Sequence, residues 1–334
     1  MVASLRKLGF SKVFDTNFAA DLTIVEEANE LIERIKNKGV LPMITSCSPG
    51  WIKFAEHFFP SSLPHLSTCK SPQQMFGAIA KTYYAEQAGI DPRNMVVVSI
   101  MPCTAKKFEA RRPEMDDAFH YWKEKLHLSE NEHFYDVDYV LTTRELARMF
   151  KEVGIDFTNL PSEEFDNPLG VSTGAGVIFG ATGGVMEAAL RTAYEVITGS
   201  QLTNVDFVAV RGMEGIKEAE IDLNGIQLKV AVAHTLSNAR TLLEQIENGT
   251  SPYTFIEVMT CPGGCLGGGG QPIPTDEEIR LKRAESIYLE DKHKPLRKSH
   301  ENPEIQYLYQ HFLQRPLSEQ AHHLLHTHYV ERGV

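Results

Sequence analysis

An apolar strand runs directly into two cysteines and several glycines in Phe255-Ile-Glu-Val-Met-Thr-Cys-Pro-Gly-Gly-Cys-Leu-Gly-Gly-Gly-Gly270. Two other apolar segments end in the same way: Leu41 to Ser46 precedes Cys47, and Asn94 to Ile100 precedes Met101-Pro-Cys103. Ligands collect at the carboxyl ends of strands in α/β sheets. The sequence therefore predicts that thiols from three distant parts of the chain meet in one region.

The segments between these strands are predicted to be mostly helical, which indicates an α/β fold with mainly parallel sheets covered by helices. The polar segment from Arg112 to Asp136 has no clear period and is predicted to be a surface excursion. Further predicted strands are Tyr139 to Leu141, Val205 to Val210 and Ile226 to Ala233; predicted helices are Asp21 to Lys38, Gln73 to Gln87, one starting near Thr142, Val185 to Ile197 and Ser237 to Asn248.

The composition is that of a globular protein. The chain has 334 residues, 33 Lys and Arg against 44 Asp and Glu, and a net charge of −11. This length suggests about two core-forming units, and the acidic balance argues against non-specific nucleic-acid binding. We find no apolar run that approaches the roughly 20 residues needed to span a bilayer, so no membrane partner is expected. The five cysteines form an odd, low count without a secretory signal, which indicates the reducing cytoplasm.

Cysteines this far apart, with one C-x3-C pair, match a zinc ribbon poorly and suit a cluster buried between lobes better. The glycines after Cys261 carry no Cβ, so they allow backbone to approach a bulky inorganic group. Each cysteine taken singly could instead be a buried small hydrophobe. The shared position at strand ends favours a metal site.

Three segments resemble the signature segments of the iron-only (FeFe) hydrogenases: Thr45-Ser-Cys-Ser-Pro-Gly-Trp51, Met101-Pro-Cys-Thr-Ala-Lys-Lys-Phe-Glu109 and Glu257-Val-Met-Thr-Cys-Pro-Gly-Gly-Cys265. The likeness covers nearly the whole chain except 112–136, which looks like an insertion. The resemblance implies a single catalytic domain over 1–334, with two lobes of mainly parallel sheet and the cofactor in the cleft between them. The family's upstream ferredoxin-like domains and its first strand are expected to be absent.

The resemblance also implies a cofactor, namely a 4Fe-4S cluster bridged to a diiron subsite with CO, cyanide and a bridging dithiolate. Cys103, Cys261 and Cys265 match three cluster-ligand positions, and Cys265 matches the thiolate that bridges to the diiron unit. Thiolates are soft, anionic donors that suit iron–sulfur clusters.

The first motif departs from the family pattern, which often has two adjacent cysteines where this chain has Cys47 and Ser48. In one account, Ser48 ligates the cluster as an alkoxide and Cys47 relays protons to the cofactor. In the other account, the loop shifts so that Cys47 ligates the cluster and another group relays protons. The sequence leaves both accounts open.

Lys106 matches a lysine that donates to an iron-bound cyanide in the family, although a solvent-facing lysine is the ordinary interpretation. Glu109 is expected to pair with a nearby cation. Residues that match the walls of the cofactor site, but that would otherwise be core residues or a helix start, are Met101, Phe179, Met259, Ser71, Pro72 and Gln73.

A proton route is suggested by Glu27, Glu30 and Arg34, which are spaced to share one helix face. A solvated charged stripe is the usual meaning of such spacing. The resemblance places these three residues, with Ser67, in a hydrogen-bonded line from the surface to the active-site cysteine. Other polar residues are predicted to lie outside this proton route. Glu26 points away from it, Cys69 is a packed thiol, and the histidines from 322 to 328 lie at a surface helix end.

The leading hypothesis is therefore a hydrogenase domain that interconverts protons, electrons and H2. Its expected partners are ferredoxin or electron-transfer subunits and dedicated maturases. A second hypothesis is a non-catalytic iron–sulfur protein in cluster assembly or H2 sensing, and a third is a zinc-binding structural protein.

Overall fold

A computed structural model describes residues 1–223 and 225–333, and its strands form two separate sheets. The larger sheet has the order β1-β6-β5-β4 and the smaller sheet pairs β2 with β3. All pairs are parallel except the β4–β5 hairpin. The strands are β1 (Met43–Ile44), β2 (Val98–Met101), β3 (Tyr139–Thr142), β4 (Ile216–Leu223), β5 (Ile226–His234) and β6 (Phe255–Met259).

Helices cover both sheets, so the predicted α/β class with mainly parallel sheets and flanking helices is confirmed. The longest helix, α2, is buried along most of its length. The helices are α1 (Val2–Lys7), α2 (Thr16–Lys36), α3 (Pro49–Phe58), α4 (Pro72–Ile79), α5 (Ala85–Ala88), α6 (Lys106–Glu109), α7 (Asp117–Lys125), α8 (Thr143–Glu152), α9 (Gly174–Ile178), α10 (Gly184–Thr198), α11 (Leu236–Glu247), α12 (Glu277–His293), α13 (Pro303–Leu308) and α14 (Glu319–Leu325).

Strand β6 is the centre of the larger sheet. It pairs in parallel with β1 on one side and β5 on the other, and all five of its residues are buried. A strand buried on both faces is mostly apolar, and Phe255–Met259 is recognisable from sequence although Glu257 interrupts its apolar run. Its position fixes where the following cysteines leave the sheet.

Two strand predictions are wrong. The predicted strand from Val205 to Val210 instead contains a single 3-10 turn, Val208–Val210. The edge strand β4 (Ile216–Leu223) was missed, because its exposed face carries charged residues and only alternate positions are buried. Alternation of this kind is typical of a strand with one solvated face.

The segment 112–136 is more than the surface excursion that its sequence predicted. It contains α7, whose Phe119 side chain is fully buried. Lys70 reaches into it as a completely buried cation, 3.1 Å from Asp136 and paired also with Asp117. The partners of these charges lie far away in the sequence, so the local pattern could not show that they are buried.

No helix in the described ranges is long and apolar enough to cross a membrane.

Replacing Lys70 with alanine should destabilise the protein by about 3–5 kcal/mol, because it leaves the buried Asp136 carboxylate without its counter-charge. Chemical denaturation measures this change. The matched control is Lys123→Ala, which removes an ion pair with exposed side chains and should stay within about 0.5 kcal/mol of the parent. Equal effects for the two variants would contradict the structural role assigned to Lys70.

Candidate functional site

The cysteines leave strands of both sheets. Cys103 follows β2 of the small sheet, while Cys47 and Cys261 follow β1 and β6 of the large sheet. A backbone bond of 2.8 Å from Gly270 N–H to the Pro102 carbonyl fastens the loop after β6 to the residue before Cys103. The two sheets therefore meet where their cysteine-bearing loops touch.

The glycines in this loop are required by close backbone approaches. A Cβ added to Gly268 would lie 2.2 Å from the Pro102 carbonyl oxygen. Gly264 has a φ of 80°, and an added Cβ would lie 2.9 Å from the Gly180 carbonyl oxygen. The Cys265 N–H donates to that same carbonyl at 2.8 Å. These two glycines let the loop pack directly against the backbone of Pro102 and Gly180, so a residue with a side chain could not replace either of them.

The thiols of Cys103, Cys261 and Cys265 influence one another. Burial, and next the neighbouring Cys103, raise the pKa of Cys265 to about 12. The pKa of Cys261 is also raised, first by burial and then by Cys103. A metal can displace the proton of a buried thiol whose pKa is raised, as in Cys261 and Cys265.

The spacing of these sulfurs bears on the kind of metal. Within residues 1–223 and 225–333, Cys103, Cys261 and Cys265 do not form a group with all ligand atoms within 4.8 Å of one another. A single tetrahedral zinc ion binds each ligand at about 2.0–2.3 Å, so its ligand atoms lie closer to one another than 4.8 Å. As placed in the described residues, these three thiols do not form a compact site for a single zinc ion.

Cys47 and Ser48 face different neighbours. The Ser48 hydroxyl lies 2.6 Å from Thr260 Oγ1 and accepts from the Thr260 N–H at 3.2 Å, beside Cys261. The Cys47 thiol is buried, and burial followed by the nearby Glu27 raises its pKa far above the usual range. The serine side chain thus contacts the residue before Cys261, whereas the thiol has Glu27, Lys106 and Cys265 as neighbours.

Lys106 is buried rather than solvent-facing. Its ammonium donates to both Glu109 carboxylate oxygens, at 3.0 and 2.8 Å, and to the Cys47 carbonyl at 3.0 Å. Glu109 also accepts from Ser71 at 2.9 Å and from Gln73 at 3.2 Å. This cluster joins the segment after Cys103 to the loop of Cys47 and to the start of α4.

The remaining predicted wall residues end secondary-structure elements near the cysteines. Met101 ends β2, Met259 ends β6 and Phe179 follows α9, and all three are buried. Pro72 opens α4 and is buried with its neighbours. Met101 also borders a cavity of about 650 Å³ that extends along β2.

A line of hydrogen bonds surrounds Glu30 on α2. Its carboxylate accepts from Arg34, from Ser67 Oγ at 2.8 Å and from the Thr68 N–H at 3.1 Å. Arg34 donates onward to the backbone carbonyls of Leu66 and its neighbours, and is itself only partly buried. The alternative of a solvated charged stripe is wrong, because Glu27 and Glu30 are both buried.

Glu27 lies between this line and Cys47. Burial, then the charge of Glu30, raise the pKa of Glu27 to about 8, and Ser67 and Arg34 partly oppose the shift. Its Oε2 atom is buried and has no hydrogen-bond partner in the described part of the chain. An incompletely solvated carboxyl that titrates near neutral pH can both accept and release a proton.

Some neighbouring side chains were missed or misinterpreted. The backbone N–H groups of Thr68 and Thr260 donate to Glu30 and Ser48, and no local signal identifies these contacts. Glu26 does turn away from the line, but into the protein, where it accepts from Tyr309 and bonds His326 at 3.1 Å. His326 is therefore buried, not at an exposed helix end.

Comparison with known sequences explains this combination of features. The family model "iron only hydrogenase large subunit, C-terminal domain" matches residues 1–269, and the model "iron hydrogenase small subunit" matches residues 277–332. The chain belongs to the iron-only hydrogenase family. The resemblance noted in the cysteine motifs is confirmed.

Curated relatives of this hydrogenase-family chain differ in function. It is 55% identical to an NADP-reducing hydrogenase subunit of Solidesulfovibrio fructosivorans over 99% of its length, and 47% identical to iron hydrogenase 1 of Clostridium pasteurianum over 98%. It spans 55% of the length of each of these two relatives. It is also 33% identical to cytosolic iron-sulfur assembly component 3 of Rattus norvegicus, over 98% of this chain and 68% of that protein.

The solved structures of this family share the fold. An apo FeFe-hydrogenase of Chlamydomonas reinhardtii, solved as a variant, superposes with a TM-score of 0.84 at 46% identity. The match covers 99% of this chain and 87% of that one.

Replacing Glu27 with glutamine should stabilise the protein increasingly as the pH rises from 5 to 8. The folded-state pKa of about 8 lies above the ordinary 4.5, so folding takes up a proton in this window and stability falls with pH. The slope is at most about 1.4 kcal/mol per pH unit, and glutamine removes it. Denaturation at several pH values measures the difference, which should vanish near pH 4; a pH-independent difference would contradict the raised pKa.

Proposed function

We propose that this chain is a hydrogenase catalytic domain that interconverts protons, electrons and H2. The observation that carries the proposal is the adjacency of two features. Cysteines from two sheets converge beside Lys106, and the buried carboxylates Glu27 and Glu30 approach the same place from α2. A purely structural cluster site would need the cysteines but not the carboxylates.

The proposed cofactor is a 4Fe-4S cluster with a diiron subsite that carries CO, cyanide and a bridging dithiolate. When bound, this group supplies the redox chemistry of H2. Cys103, Cys261 and Cys265 would hold it, with Cys265 bridging to the diiron unit, and the glycines would keep the loop of Cys261 and Cys265 packed against the backbone of Pro102 and Gly180. Phe179, Met101 and Met259 would exclude water from its surroundings.

For the first motif, we favour Ser48 at the fourth corner of the cluster and Cys47 as the proton relay. The Ser48 hydroxyl is already held beside Cys261 through Thr260. The Cys47 thiol has Glu27 and Lys106 as its principal charged neighbours. An oxygen donor is harder than a thiolate, so this corner would bind iron less tightly than the other three.

Lys106 has a positioning and electrostatic role in this proposal. A buried ammonium can donate a strong charge-assisted hydrogen bond to an anionic ligand such as cyanide. In the described structure its donors are used by Glu109 and the Cys47 carbonyl, and Glu109 is in turn held by Ser71 and Gln73. This network fixes where the positive charge lies relative to the cysteines.

The proton line would run from the partly exposed Arg34 region through Glu30, Ser67 and Glu27 to Cys47. Ser67 donates to Glu30 at 2.8 Å and also affects the pKa of Glu27, so it lies between the two carboxylates. Each of these groups can hold a proton or a hydrogen bond at a defined atom. The raised pKa of Glu27 suits it to exchange protons with the Cys47 thiol.

Electron-transfer subunits or ferredoxin would exchange electrons with the cluster, and maturases would install the diiron unit. The NADP-reducing relative is named as a subunit, which supports a multi-subunit setting. We place this activity in the cytoplasm, where cysteine thiols stay reduced.

A second candidate function is cluster assembly without H2 chemistry. It is favoured by the identity to cytosolic iron-sulfur assembly component 3 and by the serine at position 48. Iron-bound CO and cyanide give infrared bands that only a protein with the diiron unit shows, so infrared spectroscopy after anaerobic maturation separates the two functions.

The matured protein should evolve H2 from a reduced dye, and Glu27→Gln or Glu30→Gln should lower the rate by about 10²–10⁴-fold while iron content and infrared bands persist. Loss of a proton carrier slows turnover without dismantling the cofactor. Glu33→Gln is the matched control, since Glu33 lies on the same helix but is exposed, and its rate should equal the parent's. Unchanged H2-evolution rates in all three variants would contradict the proposed proton line.

Ser48→Cys should slow the loss of iron from the 4Fe-4S cluster to a chelator by about tenfold or more, because a thiolate replaces a harder donor. Cys47→Ser should leave iron retention unchanged and lower H2 turnover. The measurement is iron release followed by cluster absorbance, which does not require an active enzyme. If Cys47→Ser releases iron while Ser48→Cys has no effect, then Cys47 is the ligand and the assignment is reversed.

A further inference from the structure

A second group of metal-ligating side chains is buried beside the carboxylate line, apart from Cys103, Cys261 and Cys265. The thiol of Cys69, a carboxylate oxygen of Glu30 and a ring nitrogen of His326 all lie within 4.8 Å of one another. Cys69 Sγ is 3.5 Å from Glu30 Oε2. Thiolate sulfur, imidazole nitrogen and carboxylate oxygen are each donor types that zinc binds.

Backbone bonds hold two of the three ligands in place. Cys69 and His326 face each other in an isolated antiparallel bridge. On either side of it, the Lys70 N–H donates to the Leu325 carbonyl and the Thr327 N–H donates to the Thr68 carbonyl, both at 2.8 Å. The two side chains are therefore brought together by the main chain, and a site on a rigid support needs little reorganisation to bind.

The His326 ring has a partner at each nitrogen. Nδ1 lies 2.8 Å from Thr68 Oγ1 and Nε2 lies 3.1 Å from Glu26 Oε2. Coordination through either nitrogen leaves the other hydrogen bond in place. A hydrogen-bond partner behind the ring is the arrangement that orients metal-bound histidines and raises their basicity.

The surroundings of Cys69 are acidic. Glu26, Glu27 and Glu30 all act on its thiol and, after burial, raise its pKa further. The opposing cation, Arg34, holds the Oε1 atom of Glu30 and leaves Oε2 turned toward Cys69. A divalent cation would offset this concentration of negative charge and take the place of the thiol proton, which passes to solvent.

We propose that Cys69, His326 and Glu30 Oε2 bind one divalent cation of the zinc class, and that binding interrupts the carboxylate line. The cation binds the oxygen to which Ser67 now donates, so Glu30 is held as the carboxylate and can no longer take up a proton at that atom. The binding stands by itself; its effect on turnover rests on the proposed hydrogenase function. The chain thereby carries a reversible inhibitory metal site formed jointly by α2, the segment after Ser67 and the C-terminal segment.

The test uses the full chain with its 4Fe-4S cluster in place, titrated anaerobically with Co²⁺ as a spectroscopic probe. We expect one equivalent of bound cobalt with a thiolate-to-cobalt charge-transfer band, and displacement of that band by Zn²⁺. The band should disappear in Cys69→Ser, and affinity should fall at least about tenfold in His326→Gln. His322→Gln is the matched control, since this exposed ring lies 4.3 Å from the His326 ring, and it should bind as the parent does.

A cobalt band that persists unchanged in Cys69→Ser and His326→Gln, or no bound cobalt in the parent, overturns the site. Should Cys69→Ser lose its cluster absorbance through misfolding, Cys69→Ala takes its place. In the activity arm, Zn²⁺ should lower H2 turnover in the parent and not in the Cys69 variant. A cobalt band without any H2 turnover supports the metal site and contradicts the hydrogenase proposal. H2 turnover without a cobalt band supports the hydrogenase proposal and contradicts the metal site.

Discussion

Four carboxylates buried in one helix are the constraint around which the rest of the structure is arranged. Asp21, Glu26, Glu27 and Glu30 of α2 are all buried, and a buried carboxylate is costly unless donors surround it. Asp21 accepts hydrogen bonds from Thr173, Ser299 and Asn302. Glu26 accepts from Tyr309 and the Leu317 N–H, and it bonds His326. Glu30 accepts from Arg34, Ser67 and the Thr68 N–H. Packing against α2 is therefore dictated by hydrogen bonds as much as by apolar contact. Glu27 differs from the other three, because one of its buried oxygens has no partner among residues 1–223 and 225–333.

Burial raises the pKa of Asp21 only to about 6, because donors such as Thr173 and Asn302 oppose the shift. Glu27 lacks one such bond. Burial and the charge of Glu30 raise its pKa to about 8, and it lies toward Cys47. The helix tolerates the incompletely solvated Glu27 carboxyl because hydrogen bonds to the neighbouring carboxylates hold the helix in place. Strained and unsatisfied groups tend to occur at functional sites.

Sequence predicts the apolar centre of this fold well and its charged interior poorly. Strand β6 is recognisable because both of its faces are buried, whereas β4 escapes notice because its outer face is charged. The cysteine positions at strand ends follow from the same apolar runs. The burial of Glu27, Glu30 and Lys70 could not be derived locally, since helical spacing is the same for a solvated stripe. The distant partners Ser67 of Glu30 and Asp136 of Lys70 lie 37 and 66 positions away in the sequence.

The C-terminal segment is joined covalently to the helix that it covers. Residues 277–332 match a small-subunit family model, yet here they continue the same polypeptide that carries α2. They supply Ser299 and Asn302 to Asp21 and His326 to Glu26. Because this docking is intramolecular, its effective concentration is set by the linker and not by how much protein is present. Dilution, which would separate two independent polypeptides, leaves the cover over the buried acids in place.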